Sequence, residues 1–272
     1  MAQTSFLDLH TRSTPLLLPN AWDPGSARML EAAGAEALGT TSAGFAFALG
    51  QKDGATGIDA VIENAVAIHA SVDVPVTVDL LNGGAGSAEG VAKNITRLIE
   101  AGVAGASIED TRSDPEAPIF PFEEAVERVV AAVEAKRASQ RPFVFTARAD
   151  GFFSPYLERD DAQLADVIAR LQAFEEAGAD VLYAPAIRGL DDLKTIAKSV
   201  SKPLNVLTGL PGMNDAPETY AALGVGRLSV GSGLFAAAYG AARAVFAEWA
   251  QRGVVPTDAP RLDYGESMGL MR

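Results

Sequence analysis

Apolar runs of four to six residues recur along the chain, each bounded by turn residues and separated by longer stretches with helical spacing of apolar positions. The runs Leu16-Leu-Leu-Pro19, Pro75-Val-Thr-Val-Asp79, Phe143-Val-Phe-Thr-Ala-Arg148 and Pro203-Leu-Asn-Val-Leu207 are rich in β-branched and aliphatic residues, which favours strands. Two of them open on proline, which a strand accepts at its first position. Amphipathic stretches lie between them, among them residues 58–70, 88–100, 122–138, 160–177 and 190–199.

A repeated phrase joins helix to strand. Ala33-Gly34-Ala35, Ala101-Gly102-Val103, Ala177-Gly178-Ala179 and Leu223-Gly224-Val225 each follow a helical stretch and lead into an apolar run. A glycine just past a helix is the expected stop, because it adopts the left-handed backbone without a Cβ clash. Eight strand-like runs alternate with eight helix-like ones. That pattern predicts an α/β protein folded as a closed (β/α)8 TIM barrel, one domain over residues 1–272, with an irregular tail from about Gly253.

Composition narrows the function. The chain has 272 residues, 48% of them hydrophobic but only 7% aromatic, so small aliphatics must fill the core. With 35 acidic and 22 basic residues its formal charge is −13, which opposes binding to nucleic acid. There is no cysteine, hence no disulfide, thiolate metal site or thiol nucleophile. The opening residues 1–10 do not read as a signal peptide, and no apolar window is long enough for a membrane span. The expected location is cytoplasmic.

In a barrel of this kind, active-site groups project from the C-terminal ends of the strands. Those ends carry Trp22, then Thr41, Ser42 and Ala43, then Asp79, Glu109 and Arg148 in succession. Hard carboxylate oxygens suit Mg²⁺, which takes one or two protein ligands and keeps water on the rest of its shell. An arginine fork beside it would grip a substrate carboxylate, and amides at Thr41–Ala43 would bind an oxyanion. Each group also has a plainer reading. Asp79 and Glu109 could cap helices, Arg148 could pair with Asp150 or Glu109, and Trp22 could be a packing residue. His69 is expected on the outer face of its helix and His10 in the N-terminal segment, neither as a general base.

The ordered set Pro19-Asn-Ala-Trp-Asp23, Ser26-Ala-Arg28, Thr41-Ser-Ala-Gly44, Val78-Asp79, Ser107-Ile-Glu-Asp110 and Thr146-Ala-Arg148-Ala-Asp150 resembles the isocitrate lyase and phosphoenolpyruvate mutase superfamily. Ala177-Gly-Ala-Asp180 and Pro203-Leu-Asn-Val206 extend the resemblance to roughly residues 5–250. It implies a Mg²⁺-dependent lyase that acts on a small 2-oxo (di)carboxylate through a metal-stabilised enolate. It implies Asp79 as the main metal-side acid, Glu109 on metal-bound water, and Arg148 with Trp22, Thr41, Ser42, Ala43 and Asp79 around the substrate. Asp53 matches the acid on the loop after the second strand. A homo-oligomer, dimer or tetramer, is implied as well.

Departures rank the reactions. The lyase branch carries a cysteine where this chain has Thr111–Phe120, so cleavage of isocitrate is not expected. Leu81 stands where the family has a second acid, unless Asp110 or Asn82 substitutes, and Pro185 stands where relatives carry Glu or His. Oxaloacetate-decarboxylase-like C–C cleavage needs only an electron sink and a carboxylate clamp. Phosphonomutase-type C–P chemistry would want further cations, of which Arg112 is the obvious one. A degenerate barrel that binds a 2-oxo acid without turning it over is a third reading. A fourth takes the glycine-rich turns 209–212 and 231–233 as a phosphate site rather than as mere turns.

Overall fold

The computed structural model describes residues 5–271 apart from 113, 115, 155, 156 and 259. Nine strand segments are all parallel to their neighbours: β1 (Leu16–Leu18), β2 (Asn20–Ala21), β3 (Leu38–Thr40), β4 (Val76–Asp79), β5 (Gly105–Glu109), β6 (Val144–Arg148), β7 (Val181–Tyr183), β8 (Leu204–Leu207) and β9 (Val225–Ser229). They pair in the order β1-β9-β8-β7-β6-β5-β4-β3-β2. Only Pro19 separates β1 from β2. It has no N–H to give the ladder, yet its carbonyl still accepts from the Gly39 amide at 3.0 Å. The two segments are therefore one strand, paired with β9 through its first half and with β3 through its second. Eight strands close the predicted barrel.

Helices α1 (Pro24–Ala32), α2 (Ser42–Ala48), α3 (Ile58–Ser71), α4 (Ala88–Ala101), α5 (Phe122–Ser139), α6 (Asp161–Ala177), α7 (Leu190–Ser199), α8 (Pro217–Ala221) and α9 (Gly233–Arg252) fill the connections. The glycine stops act as expected. Gly102 caps α4 at φ 89° with its amide on Leu98 and Ile99 carbonyls, and Gly178 caps α6 at φ 108° on those of Phe174 and Glu175. Leu80, Val91, Ile95, Leu98, Phe145 and Leu171 are fully covered in the layer between strands and helices. Burial of that layer is the main driving force for closing the barrel. Among the described residues no helix is long and apolar enough to cross a membrane.

The tail expected to be irregular from about Gly253 instead ends in a short helix, α10 (Tyr264–Leu270). A reciprocal capping box between Asp263 and Glu266 starts it, and it packs on α1. Helix α9 is also unusual, since Phe235 is its one buried side chain while Tyr239, Phe246 and Trp249 stand exposed.

The bottom of the barrel is plugged by the N-terminal segment. His10 is buried there, with Nδ1 on the Phe6 carbonyl at 2.8 Å and Nε2 3.2 Å from Arg227 on β9. Burial, reinforced by the Arg227 charge, pushes the His10 imidazole down from 6.5 to about 3. The unfolded chain then binds the extra proton throughout that window, so this group stabilises the fold at neutral pH and loses its contribution as pH falls from 6.5 towards 3. Chemical denaturation of the native protein and His10→Gln at several pH values should show their stability difference shrinking on acidification, by about 1.4 kcal/mol per pH unit. A pH-independent difference would place the titration elsewhere.

Candidate active site

Strand register builds the site. Glu109 on β5 pairs with Arg148 on β6, and Arg148 with Tyr183 on β7, so three neighbouring strands deliver these residues at one level. Side chains of directly paired residues share a face. Asp79 ends β4, one strand over. Together they line a cavity of about 620 Å³ at the C-terminal mouth, joined by Thr41, Ser42, Ala43 and Asp53 from the next loops.

Arg148 is the hub. Its Nε and Nη2 donate to the two carboxylate oxygens of Asp150 at 2.5 and 2.7 Å, and its Nη1 forms an ion pair with Glu109 Oε2 across 2.9 Å. Asp79 Oδ1 stands 3.9 Å from Nη1. The rings of Phe153 and Tyr183 each lie 5.3 Å from the guanidinium carbon. Of the five N–H groups of an arginine, two are hydrogen-bonded to Asp150. The fork is therefore committed to Asp150, and the ion-pair reading of Arg148 holds alongside any contact with substrate.

The amides after β3 are also partly committed. Thr41 N–H donates to Ala21 O at 3.1 Å, and Ser42 gives Asp79 Oδ2 both its amide, at 3.0 Å, and its hydroxyl, at 2.7 Å. Ala43, in the first turn of α2, lines the cavity, and its amide is the one of the three with no acceptor among the described contacts. Trp22 is absent from the cavity lining. Its ring packs edge-to-face on Phe235 at 5.6 Å, beside Gly44, where any Cβ would meet Thr41 at 2.7 Å.

The residues considered as stand-ins for the missing acid have partners of their own. Asp110 is buried on Arg170 at 3.2 Å and accepts the Asp150 amide at 2.8 Å. Asn82 donates to the Thr111 carbonyl at 3.1 Å, and Arg128 holds its own carbonyl at 2.8 Å. Asp110 does not line the cavity, whereas Asn82 lines a smaller adjoining pocket with Asp53, Leu81 and Glu109. Leu81 lines the main cavity as well, in a left-handed backbone with φ 55°, fixed by the Glu109 amide on its carbonyl at 2.8 Å. In the glycine-rich turns several amides are already bonded within the protein, while those of Ser232 and Leu234, at the start of α9, have no acceptor among the described contacts. Amides of Val230 and Gly231 both donate to Asn20 Oδ1, Gly209 to Met213 O and Gly233 to Val230 O. His69 is half-buried rather than on the outer surface, and it lines a groove at the opposite end of the barrel.

Electrostatics sets what the site can hold. Asp53, Asp79, Glu109 and Asp150 line the cavity with two guanidiniums, Arg148 among them and Arg112 at the mouth. Burial raises the Glu109 carboxyl against the pull of Arg148, and Asp150 and Asp79 raise it further. Burial also raises Asp150 and Asp53, with Asp79 adding to the shift at Asp53. Carboxyls raised by burial and by one another's charge are groups that a divalent cation placed among them would favour in the ionised form. Asp79 Oδ1 has no donor within hydrogen-bonding distance in its described contacts, and Glu109 follows on the adjacent strand. Although no three acids or histidines are placed to hold a metal together among the described residues, Mg²⁺ needs only one or two carboxylates. The donor set fits the ion.

Sequence reasoning left out Tyr183 and Phe153, the two aromatic walls of Arg148, and weighed Asp150 only as a rival. The signal was present for Asp150, since residues two apart in an extended segment point the same way.

Residues 6–250 match the family model described as phosphoenolpyruvate phosphomutase. The chain is 33% identical over 202 residues to 2-methylisocitrate lyase of Escherichia coli, covering 71% of this chain and 65% of that protein. It is 31% identical over 211 residues to an oxaloacetate decarboxylase of Paraburkholderia xenovorans, covering 74% and 66%. A crystal structure of a candidate lyase/mutase from Burkholderia cenocepacia superposes with TM-score 0.91 at 40% identity, over 97% of this chain and 94% of that one.

Proposed function

The chain belongs to the phosphoenolpyruvate phosphomutase family of the isocitrate lyase superfamily, and from that premise we propose that it is a Mg²⁺-dependent C–C lyase of a small 2-oxo carboxylate, in the manner of an oxaloacetate decarboxylase. The observation that carries this reading is the excess of carboxylates around Arg148 at one rim. A 2-oxo acid is an anion and could not enter such a field without a cation beside it.

Asp79 would hold Mg²⁺ and Glu109 its water, and the ion when bound would act as a Lewis acid on charge developing at the substrate's C2 oxygen. The remaining chemistry belongs to the chain. The N–H groups of Arg148 that are not bonded to Asp150 and the Ala43 amide orient the substrate carboxylate. As the C3–C4 bond breaks, its electron pair moves into the C2 carbonyl and CO₂ departs. Asp53, whose carboxyl is raised by burial, then delivers a proton to C3. Phe153 and Tyr183 keep water from the guanidinium. A panel of 2-oxo acids assayed for pyruvate release with and without Mg²⁺ tests the reading, and Mg²⁺-independent release would defeat it. C–P cleavage is a second reading, supported by Arg112 at the mouth. Pyruvate from phosphonopyruvate but not from oxaloacetate in the same panel would favour it.

Leu81→Asp restores an acid at the left-handed position, where aspartate sits more easily than leucine. It should tighten Mg²⁺ binding by about tenfold through the added ligand charge. Calorimetric titration measures this, and unchanged affinity would place the ion away from β4.

The exposed Phe246 and Trp249 of α9 lead us to propose a homo-oligomer, dimer or tetramer, with this helix at the interface. Sedimentation velocity should show the double variant Phe246→Glu, Trp249→Glu as a smaller species than the native protein. An already monomeric native protein would contradict the proposal. A cytoplasmic location is part of the same reading.

A further inference from the structure

The interior of a barrel of this kind is ordinarily filled by branched aliphatic side chains. Here the layer beneath the candidate active site is polar. Thr77 on β4, Ser107 on β5, Asn205 on β8 and Arg227 on β9 line a cavity of about 60 Å³, to which every strand of the barrel contributes. It adjoins the larger cavity above, with which it shares Asp79, Arg148 and Tyr183. Its size is that of about two waters.

Arg227 is the charge of this layer. It is buried, and each of its partners is neutral. Nε donates to Asn205 Oδ1 at 3.0 Å, Nη2 to Thr146 Oγ1 at 3.2 Å, and Nη1 stands 3.2 Å from Nε2 of His10. His10 is uncharged at neutral pH. The acids of the site above pair with Arg148 instead, and no carboxylate among the described residues forms an ion pair with Arg227. Burial pushes the guanidinium down to about 10, which leaves it a cation at neutral pH. A buried charge is costly unless an opposite charge meets it. Water would satisfy its N–H groups but brings no charge.

The rest of the lining favours an anion as well. The hydroxyls of Thr77 and Ser107 have no acceptor among the described contacts. The amide oxygens are spoken for, that of Asn205 by Arg227 and that of Asn20 by the Val230 and Gly231 amides. Two guanidiniums, Arg148 and Arg227, face this cavity against one carboxylate, Asp79, whose Oδ2 is held by Ser42.

We propose that this cavity binds one small monovalent inorganic anion of chloride size, held by Arg227 with Thr77 and Ser107. The ion neutralises the buried guanidinium and so stabilises the closed barrel. The inference is independent of the 2-oxo acid reading, since it concerns a different cavity.

The test follows the Tm of the full chain by calorimetry at constant ionic strength, as sodium gluconate, too large for this cavity, is replaced by sodium chloride. Tm should rise and then saturate, by on the order of 5 °C, as mass action at a specific site requires. General screening is the same for both salts. Crystals grown in sodium bromide should show an anomalous peak inside the barrel, in contact with Arg227. No chloride response, or a peak elsewhere, overturns the inference. A peak without a saturating Tm response marks an adventitious ion only and overturns it too. Arg227→Gln should remove the chloride response. Should that variant not fold, Thr77→Val with Ser107→Ala keeps the charge and should weaken chloride at least tenfold through two lost charge-assisted hydrogen bonds. An unchanged midpoint of the chloride titration would overturn the assignment to this cavity.

Discussion

Asp79→Ala is expected to abolish Mg²⁺-dependent turnover, with kcat falling by about 10³-fold or more, while the protein stays folded. The magnitude follows from the several kcal/mol of charge stabilisation a bound divalent ion supplies. The fold should survive because the Asp79 side chain bonds only to Ser42 and faces Arg148 at 3.9 Å. Its loss frees the Ser42 amide and hydroxyl at a cavity wall where water replaces the carboxylate. Circular dichroism and steady-state kinetics across a Mg²⁺ series decide the matter. Activity that persists with its Mg²⁺ dependence intact would show that another group holds the ion.

Replacement of Arg148 should have the larger effect on stability. Read as a substrate clamp alone, Arg148→Ala would only raise KM, by about 10²-fold for a lost charge-assisted pair. The structure adds a second consequence, because the guanidinium neutralises buried Asp150 and Glu109. Removing one partner of a buried pair costs about 3–5 kcal/mol, a fall in Tm on the order of 10 °C for a chain of this size. Mg²⁺ binds beside the same carboxylates and should return part of that loss, more than it adds to the native protein. Differential scanning calorimetry with and without Mg²⁺ separates the two roles. A raised KM with an unmoved Tm would mean that the carboxylates do not depend on this arginine.

Much of this architecture could be read from local pattern. Strand positions and the stops at Gly102 and Gly178 depend on neighbours within a few residues, and both agree with the structure. The convergence of Asp79, Glu109 and Arg148 followed from the rule that strand ends carry the chemistry. What escaped depends on partners distant in the chain. Nothing near Thr41 or Ser42 announces that one amide is given to Ala21 and the next to Asp79. Asp110 and Glu109 are adjacent, yet the alternation of an extended strand sends one to Arg170 and the other to the cavity. Trp22 turned away because a pocket between α2 and α9, with Phe235 in it, exists only once the barrel is closed. The same holds for His10 and Arg227, which are 217 positions apart and meet inside the barrel.

The most direct trial of the whole scheme is the thermodynamic coupling between ion and ligand. Pyruvate titrated into the protein should bind at least tenfold more tightly with saturating Mg²⁺ than with a chelator, because neither charge is tolerated at this rim without the other. Equal affinity in the two conditions would contradict the claim that Asp79, Glu109 and Arg148 form a joint site for a divalent cation and an organic anion.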